Sequence, residues 1–256
     1  MIWPAEAIWE AVSPVWPGFS VEVLPQVDSS NSELMRRAHQ GQTEPVLLVA
    51  ERQTAGRGRM GKEWHSGEGT SLAFSMGLPL PAGDWSGLSL AVGLSLAQSL
   101  HPDIQLKWPN DLWWQERKLA GILIETVHMG TKRYVVVGVG INMAVPNAEG
   151  LSTPPAGLCE VLPDVDAAGA LGRVAAPLAR AIKGFQVQGF APVHKLFQAR
   201  DVFFGRELVC SDGLTGVGAG VDISGALLLQ TPDGVKKIVS SEVSVRPISG
   251  EADASK

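Results

Sequence analysis

The chain has 256 residues, 45% of them hydrophobic, with 26 acidic against 21 basic side chains and a formal net charge of −5. That length holds one large domain or a larger and a smaller one, and 29 glycines and 17 prolines spread without a repeat exclude collagen-like and low-complexity classes. The acidic balance argues against a surface built mainly for nucleic acid, and two cysteines, Cys159 and Cys210, without Cys or His at ligand spacing exclude a disulfide framework and a zinc site.

Met1 to Ser20 carries Glu6 and Glu10 but no Lys or Arg, so it lacks the charged start of a secretory signal. No apolar run approaches the roughly 20 residues that span a bilayer, and a cytoplasmic protein without a membrane partner is expected. Ser30 and Glu33 have capping-box spacing, which predicts a helix from about Asn31 to Gly41. Pro45 to Ala50 is a continuous apolar run suited to a buried strand, and Thr70 to Met76 alternates in period two. Leu88, Val92, Leu96 and Leu100 recur every four residues, predicting a helix over Asp84–Leu100 with Asp84 as its N-cap. Ile104–Trp108, Ala120–Val127 and Tyr134–Ile141 read as strands, and the sum is a mixed sheet with flanking helices, an α/β (α+β) class.

Residues 145 to 165 hold four prolines and read as a loop. Helices are predicted over Asp166–Gln186, with a new turn or kink at Pro177, and over Pro192–Arg200. The texture then changes to short strands: Glu207–Ser211, Thr215–Val221, Ala226–Gln230, Val235–Val239 and Val243–Arg246, with Pro232-Asp233-Gly234 as a hairpin turn. This predicts a small all-β barrel, and the expected division is 1–203 and 204–256.

Four segments carry chemistry. Arg52 to Lys62 contains Arg52, Arg57, Arg59 and Lys62, no acidic residue and three glycines, so guanidinium forks and open backbone N–H groups are available to a phosphate. Its spacing matches neither the P-loop nor the dinucleotide fingerprint, and a solvated loop or an RG-type nucleic-acid contact reads equally well from this segment alone. Lys107-Trp108-Pro109-Asn110-Asp111-Leu112 is ordinary turn chemistry, or a Lys–Asn–Asp cluster able to hold a phosphate and its Mg²⁺. In Arg117 to Glu125 a lysine, Lys118, opens an apolar strand: an edge lysine, or an ammonium placed to neutralise developing charge. There Gly121 would let a flat ligand lie against the backbone. Gly138-Val139-Gly140-Ile141-Asn142 suggests close approach by another group, with Asn142 able to read a purine edge, although close strand–helix packing gives the same letters.

In this order and spacing the segments resemble the biotin protein ligases, also called biotin-[acetyl-CoA-carboxylase] ligases. The matches are Asp28-Ser29-Ser30-Asn31, Gly56 to Trp64, Lys107 to Asp111, Arg117 to Leu123 and Gly138 to Asn142, spanning most of residues 28 to 142. The tail, with Gly216, Gly218, Gly220 and Gly225 to Leu229, resembles the SH3-like barrel that ends these ligases. Three departures stand out: Ser30 for threonine, Lys62 for arginine, and Ser241 for the glycine before Glu242. The first keeps a hydroxyl and the second loses a bidentate fork, which touches phosphate affinity.

The resemblance implies the biotinyl/lipoyl ligase catalytic fold, similar to class II aminoacyl-tRNA synthetases. It also implies a two-step reaction: biotin and ATP give biotinyl-5′-adenylate and pyrophosphate, then the biotinyl group passes to a lysine of a biotin carboxyl carrier protein. It places Lys118 and Arg59 in catalysis. Biotin falls to Ser29, Ser30, Asn31, Gln53, Arg57, Gly58, Arg59, Lys118, Gly121 and Leu123. The nucleotide falls to Arg57, Arg59, Met60, Lys62, Trp64, Lys107, Asn110, Asp111 and Asn142, with Asp111 meeting Mg²⁺. With the first motif beginning at Asp28, a single-function ligase without operator DNA is expected, and a homodimer formed by sheet extension is left open. The competing readings are a lipoate or octanoate ligase on the same fold and a non-enzymatic RNA-binding module.

Overall fold

The computed structural model describes residues 1–64, 67, 69–81, 83–129, 132–147, 153–239 and 245–247. Ser241 and Glu242 of the tail motif, and Val243 and Ser244 of the last predicted strand, lie outside the described residues. Seven strands form one mixed sheet: β1 (Ser20–Leu24), β2 (Val46–Ala50), β3 (Ser71–Pro81), β4 (Gln105–Lys107), β5 (Asp111–Trp114), β6 (Arg117–Met129) and β7 (Lys132–Asn142). Their order is β1-β2-β3-β7-β6-β5-β4, with β1 parallel to β2 and the other neighbours antiparallel.

Alternation along β3 and β7 sorts the two faces. Leu72, Phe74, Met76 and Leu78 with Val135, Val137, Val139 and Ile141 join the main core under α1 (Ala5–Val12), α3 (Leu88–Leu100) and α4 (Ala167–Gln188). On the opposite face α2 (Ser30–His39) sets Leu34 and Ala38 on Val46, Leu48, Val127, Tyr134 and Val136. That second cluster covers only part of the face. The remainder, toward the C-terminal end of β7, is left for the site.

Several boundaries differ from the sequence reading, each for a local reason. Ser29, not Ser30, caps α2, accepting from the Ser32 N–H at 3.4 Å, because the Ser30 hydroxyl is engaged by Gln53 and Glu33 bonds Arg36 and Arg37. Asp84 does not cap α3; its carboxylate accepts from the Ser86 N–H in a turn, and the helix starts after Gly87, which is left-handed at φ 81°. α3 is buried nearly all round, which is why a simple four-residue stripe understates it. α4 runs through Pro177 as one helix, its Leu171, Val174, Leu178 and Ile182 stripe packed into the core. The predicted Pro192–Arg200 helix is a 3₁₀ turn, Ala191–Val193, followed by the short α5 (His194–Gln198). Within the predicted 145–165 loop lies a 3₁₀ turn, Leu158–Glu160, whose Leu158 is buried. α1 and β1, absent from the sequence reading, pack at the N-terminal side, where the Trp16 indole donates to the Ala179 carbonyl at 3.0 Å. Among the described residues no helix is long and apolar enough to cross a membrane.

The tail forms a second sheet of five strands, β8 (Glu207–Cys210), β9 (Thr215–Val221), β10 (Leu227–Thr231), β11 (Gly234–Ile238) and β12 (Val245–Pro247), ordered β11-β10-β9-β8-β12 and antiparallel throughout. Pro232-Asp233 makes the predicted tight turn, since Thr231 pairs with Gly234. This C-terminal β domain meets the large sheet along a seam beside β4. The Trp108 indole, 1% exposed, donates to the Gly225 carbonyl at 3.0 Å, and residues 200–202 bond to Leu106 across the outer edge of β4.

Candidate active site

A cavity of about 440 Å³ opens beside the N-terminus of α2, a size suited to a small ligand. One side of it is the glycine-rich segment, which is a hairpin and not a strand-to-helix loop. Gly56 O accepts from Trp64 N at 2.9 Å, Gly58 N donates to Lys62 O at 2.7 Å, and Met60 and Gly61 turn the chain at φ 55° and 70°. Gly56 is required there, since a Cβ would stand 2.3 Å from the Trp64 carbonyl oxygen.

The neutral end is built from small polar groups already bonded to one another. Gln53 Oε1 accepts from Ser30 N at 2.7 Å and from Ser30 Oγ at 3.1 Å; Ser75 Oγ lies 2.7 Å from Ser30 Oγ and donates to Asn31 Oδ1 at 2.6 Å. The Asn31 amide donates to Leu123 O at 3.1 Å and Glu125 Oε2 at 3.0 Å. Ser29, Ser30, Asn31 and Ser75 are all buried, so unmade hydrogen bonds would be costly and the network holds each side chain in one orientation.

At the other end a carboxylate sits among cations. Lys118 Nζ lies 2.8 Å from Asp111 Oδ1, and Lys107 Nζ lies 3.9 Å from Asp111 Oδ2. Arg59 donates to Asn110 Oδ1 at 3.1 Å, while the Asn110 amide donates to Ile122 O at 2.9 Å. Burial pushes the Lys107 ammonium below its ordinary range, opposed by Asp111 and reinforced by Lys118, Lys62 and Arg59. Burial likewise lowers the Arg59 guanidinium, with Asp111 acting against it. Three cations against one carboxylate leave this end positive, as an anionic ligand requires.

Lys118 reaches the cavity through a bulge. Asp111 and Leu112 pair with Gly121 and Ala120, but Trp113 pairs with Lys118, so the register shifts by one. Simple alternation would put Leu119 on the face of Gly121 and Leu123; the bulge sends Leu119 into the core and brings Lys118 to the cavity. The β7 glycines answer two bulky neighbours of the same chain. A Cβ on Gly138 would meet Asn31 Oδ1 at 2.1 Å, and one on Gly140 would meet the Trp64 ring at 2.3 Å. The flat group against Gly121 is therefore the Trp64 indole, whose ring also lies 5.8 Å from Lys118 Nζ.

Ser29, Ser30, Asn31, Gln53, Arg57, Gly58, Arg59, Met60, Lys62, Trp64, Lys107, Asn110, Asp111, Lys118, Gly121, Leu123 and Asn142 all line this one cavity. Two of them already have partners within the chain. Arg57, expected over phosphates, gives its guanidinium to Glu125 Oε1 at 2.9 Å and to Ser32 Oγ at 3.2 Å. Asn142, expected at a purine edge, spends its amide N–H groups on Lys118 O and Ala156 O at 3.2 and 3.1 Å, tying the 153–157 segment to β6. The sequence reading missed Ser75 and Glu125. Ser75 looks like the wet side of an alternating strand and Glu125 like the polar end of an apolar one; only the position of α2 over that face makes them part of the network.

Asp111 is ion-paired with Lys118 and, at longer range, Lys107, and among the described residues no three His, Cys, Asp or Glu side chains cluster for a metal.

Comparison with known proteins decides the family. The bifunctional ligase/repressor BirA of Escherichia coli (strain K12) is 35% identical over 246 residues, covering 90% of this chain and 75% of that protein. The biotin–[acetyl-CoA-carboxylase] ligase of Paracoccus denitrificans is 33% identical, covering 86% of this chain and 98% of that one. The chain belongs to the biotin protein ligase family. The profile of the biotin/lipoate A/B protein ligase family matches residues 23–142 of this ligase, and that of the biotin protein ligase C-terminal domain matches residues 212–246. The solved biotin protein ligase from Aquifex aeolicus in complex with biotin and ATP superposes with a TM-score of 0.77 at 31% identity, covering 89% of this chain and 99% of that one.

Proposed function

We propose that this ATP-dependent ligase acts on biotin in the two-ended cavity and delivers it to the biotin carboxyl carrier protein of acetyl-CoA carboxylase. The observation that carries the reading is the polarity of the cavity: a neutral, pre-bonded end at Ser29–Asn31 and Gln53, and a cationic end at Lys118, Lys107 and Arg59 around Asp111. A ureido ring needs neutral donors and acceptors in fixed positions; a carboxylate meeting a triphosphate needs positive charge.

In the first step a biotin carboxylate oxygen bonds to the α-phosphorus of ATP and the bond to the bridging oxygen breaks, releasing pyrophosphate. Lys118 screens the two anions as they approach and stabilises the charge spread over the phosphorus; it needs no proton transfer to do so. Arg59, Lys107 and Lys62 draw the phosphates, and Trp64 packs beside the reacting groups to exclude water. In the second step a carrier lysine amine attacks the acyl carbon, AMP departs, and the amine loses a proton. Mg²⁺ enters as part of the substrate MgATP, with Asp111 the carboxylate nearest those phosphates. Residues 1–203 are taken as the part that carries the chemistry and 204–256 as the β domain that backs it. Operator DNA is not among the proposed partners, because the chain is acidic as a whole. The cytoplasm, where nucleotide and carrier meet, is the proposed compartment.

The test is ATP–pyrophosphate exchange with biotin, lipoate and octanoate in parallel. Exchange driven by biotin alone supports the reading; exchange driven by lipoate or octanoate instead moves the enzyme to another acid, and binding of RNA that ignores biotin overturns it.

A further inference from the structure

Glu125 lies outside the cavity wall yet holds two pieces of it. Its carboxylate accepts from Arg57 of the glycine-rich hairpin at 2.9 and 3.3 Å and from Asn31 of α2 at 3.0 Å. Asn31 continues through Ser75 and Ser30 to Gln53. One hydrogen-bonded chain therefore runs from the hairpin, over the edge of β6, to the neutral end of the cavity. Elsewhere the hairpin is tied by Arg59 to Asn110 and by Trp64 against Gly121 and Gly140, while Arg57, Met60, Lys62 and Glu63 are exposed and its own backbone bonds close on themselves.

We propose that Glu125 is the latch of this hairpin: through Arg57 it holds the segment closed beside the cavity, and it governs how long a bound acid or its adenylate stays. The proposal rests on the ligase reading for the identity of the ligand. Glu125 touches neither ligand nor reacting atoms, so it is a positioning residue. Losing the latch raises the rate of ligand escape and leaves the chemical step at saturation close to its wild-type rate. The Arg57 side chain is 49% exposed and that of Glu125 21%, so the ion pair is screened by salt and its loss has a modest effect.

Glu125→Gln keeps an oxygen for the Asn31 amide and removes the charge that Arg57 pairs with. Dissociation of radiolabelled biotin and trypsin cleavage at Arg57, Arg59 and Lys62 are measured in the full-length wild type and variant, at low and at high salt. The expected result is biotin release about three- to fivefold faster in Glu125→Gln, faster cleavage at the hairpin, and an adenylation KM that rises while kcat holds. Added salt brings the wild type toward the variant and moves the variant little. Equal release and cleavage rates with the same salt dependence overturn the latch. Wild type that binds no biotin overturns the ligand assignment instead, and the cleavage comparison without ligand then still decides the latch.

Discussion

The cationic end of the cavity and the seam between the two sheets sit back to back on one short hairpin, β4–β5, and they handle polarity in opposite ways. On the cavity side Lys107, Asp111 and Lys118 gather charge and compensate it with charge. On the seam side Trp108, Gly225 and residues 200–202 use apolar surface and backbone hydrogen bonds. Beside them Arg206 pairs with Glu116 at 2.7 Å with both side chains well exposed, so the buried bonds, and not this ion pair, back the hairpin that presents lysines to a phosphate. Asp201 departs from that pattern. Its Oδ1 accepts from Phe203 N, but its Oδ2 is buried with no partner among the described residues, and burial raises its carboxyl to about 6.

Breaking the cavity side has the largest effect. Lys118→Ala should lower adenylate formation by at least about tenfold while the denaturation midpoint holds, read by pyrophosphate release beside thermal unfolding. An unchanged rate removes Lys118 from its role. Breaking the seam should cost stability first: Gly225 has φ +83° and a Cβ there would stand 2.6 Å from the Gly87 Cα, so Gly225→Val should destabilise by about 3 kcal/mol in urea titration.

Asp201 sharpens the contrast through pH. Its folded carboxyl titrates above the ordinary value of 3.8, so its favourable contribution is complete below about pH 4 and is lost as pH rises through about 6. Asp201→Asn should therefore gain on the wild type between pH 4 and pH 7, by up to about 3 kcal/mol, and parallel stability curves across that window would refute the burial argument. The smallest effect is expected from Trp108→Phe, which keeps an aromatic side chain but loses part of the buried indole and leaves the Gly225 carbonyl unpaired. It should cost about 1–2 kcal/mol, with a drop in adenylation smaller than that of Lys118→Ala. A loss of activity equal to that of Lys118→Ala would mean that the seam does more than support.

Elements with a repeating apolar period were legible in the chain: β2, β3, β7 and α3 follow from runs and alternation, and β9 to β11 from short strands between turn residues. α1 and β1 were not, because their partly exposed side chains take meaning from what they pack on; α1 lies on α4, far along the chain. The site divides the same way. Local composition marked Arg57, Arg59, Lys107, Asp111 and Lys118, since cations, glycines and turn residues stand out over a few positions. Ser75 and Glu125 could not stand out, because each is an ordinary polar residue in a strand until α2 covers it.

The sequence by itself determined the family, the class of fold and most of the charged residues that line the cavity, because motif order and hydrophobic period are properties of neighbours in the chain. Tertiary structure alone decided how those residues are used. A one-residue bulge turns Lys118 inward, Gly138 and Gly140 make room for Asn31 and Trp64, and Arg57 turns to Glu125. All but the bulge depend on atoms brought together from segments tens of residues apart, and in every case pairing register and side-chain volume decide the contact and local preference does not.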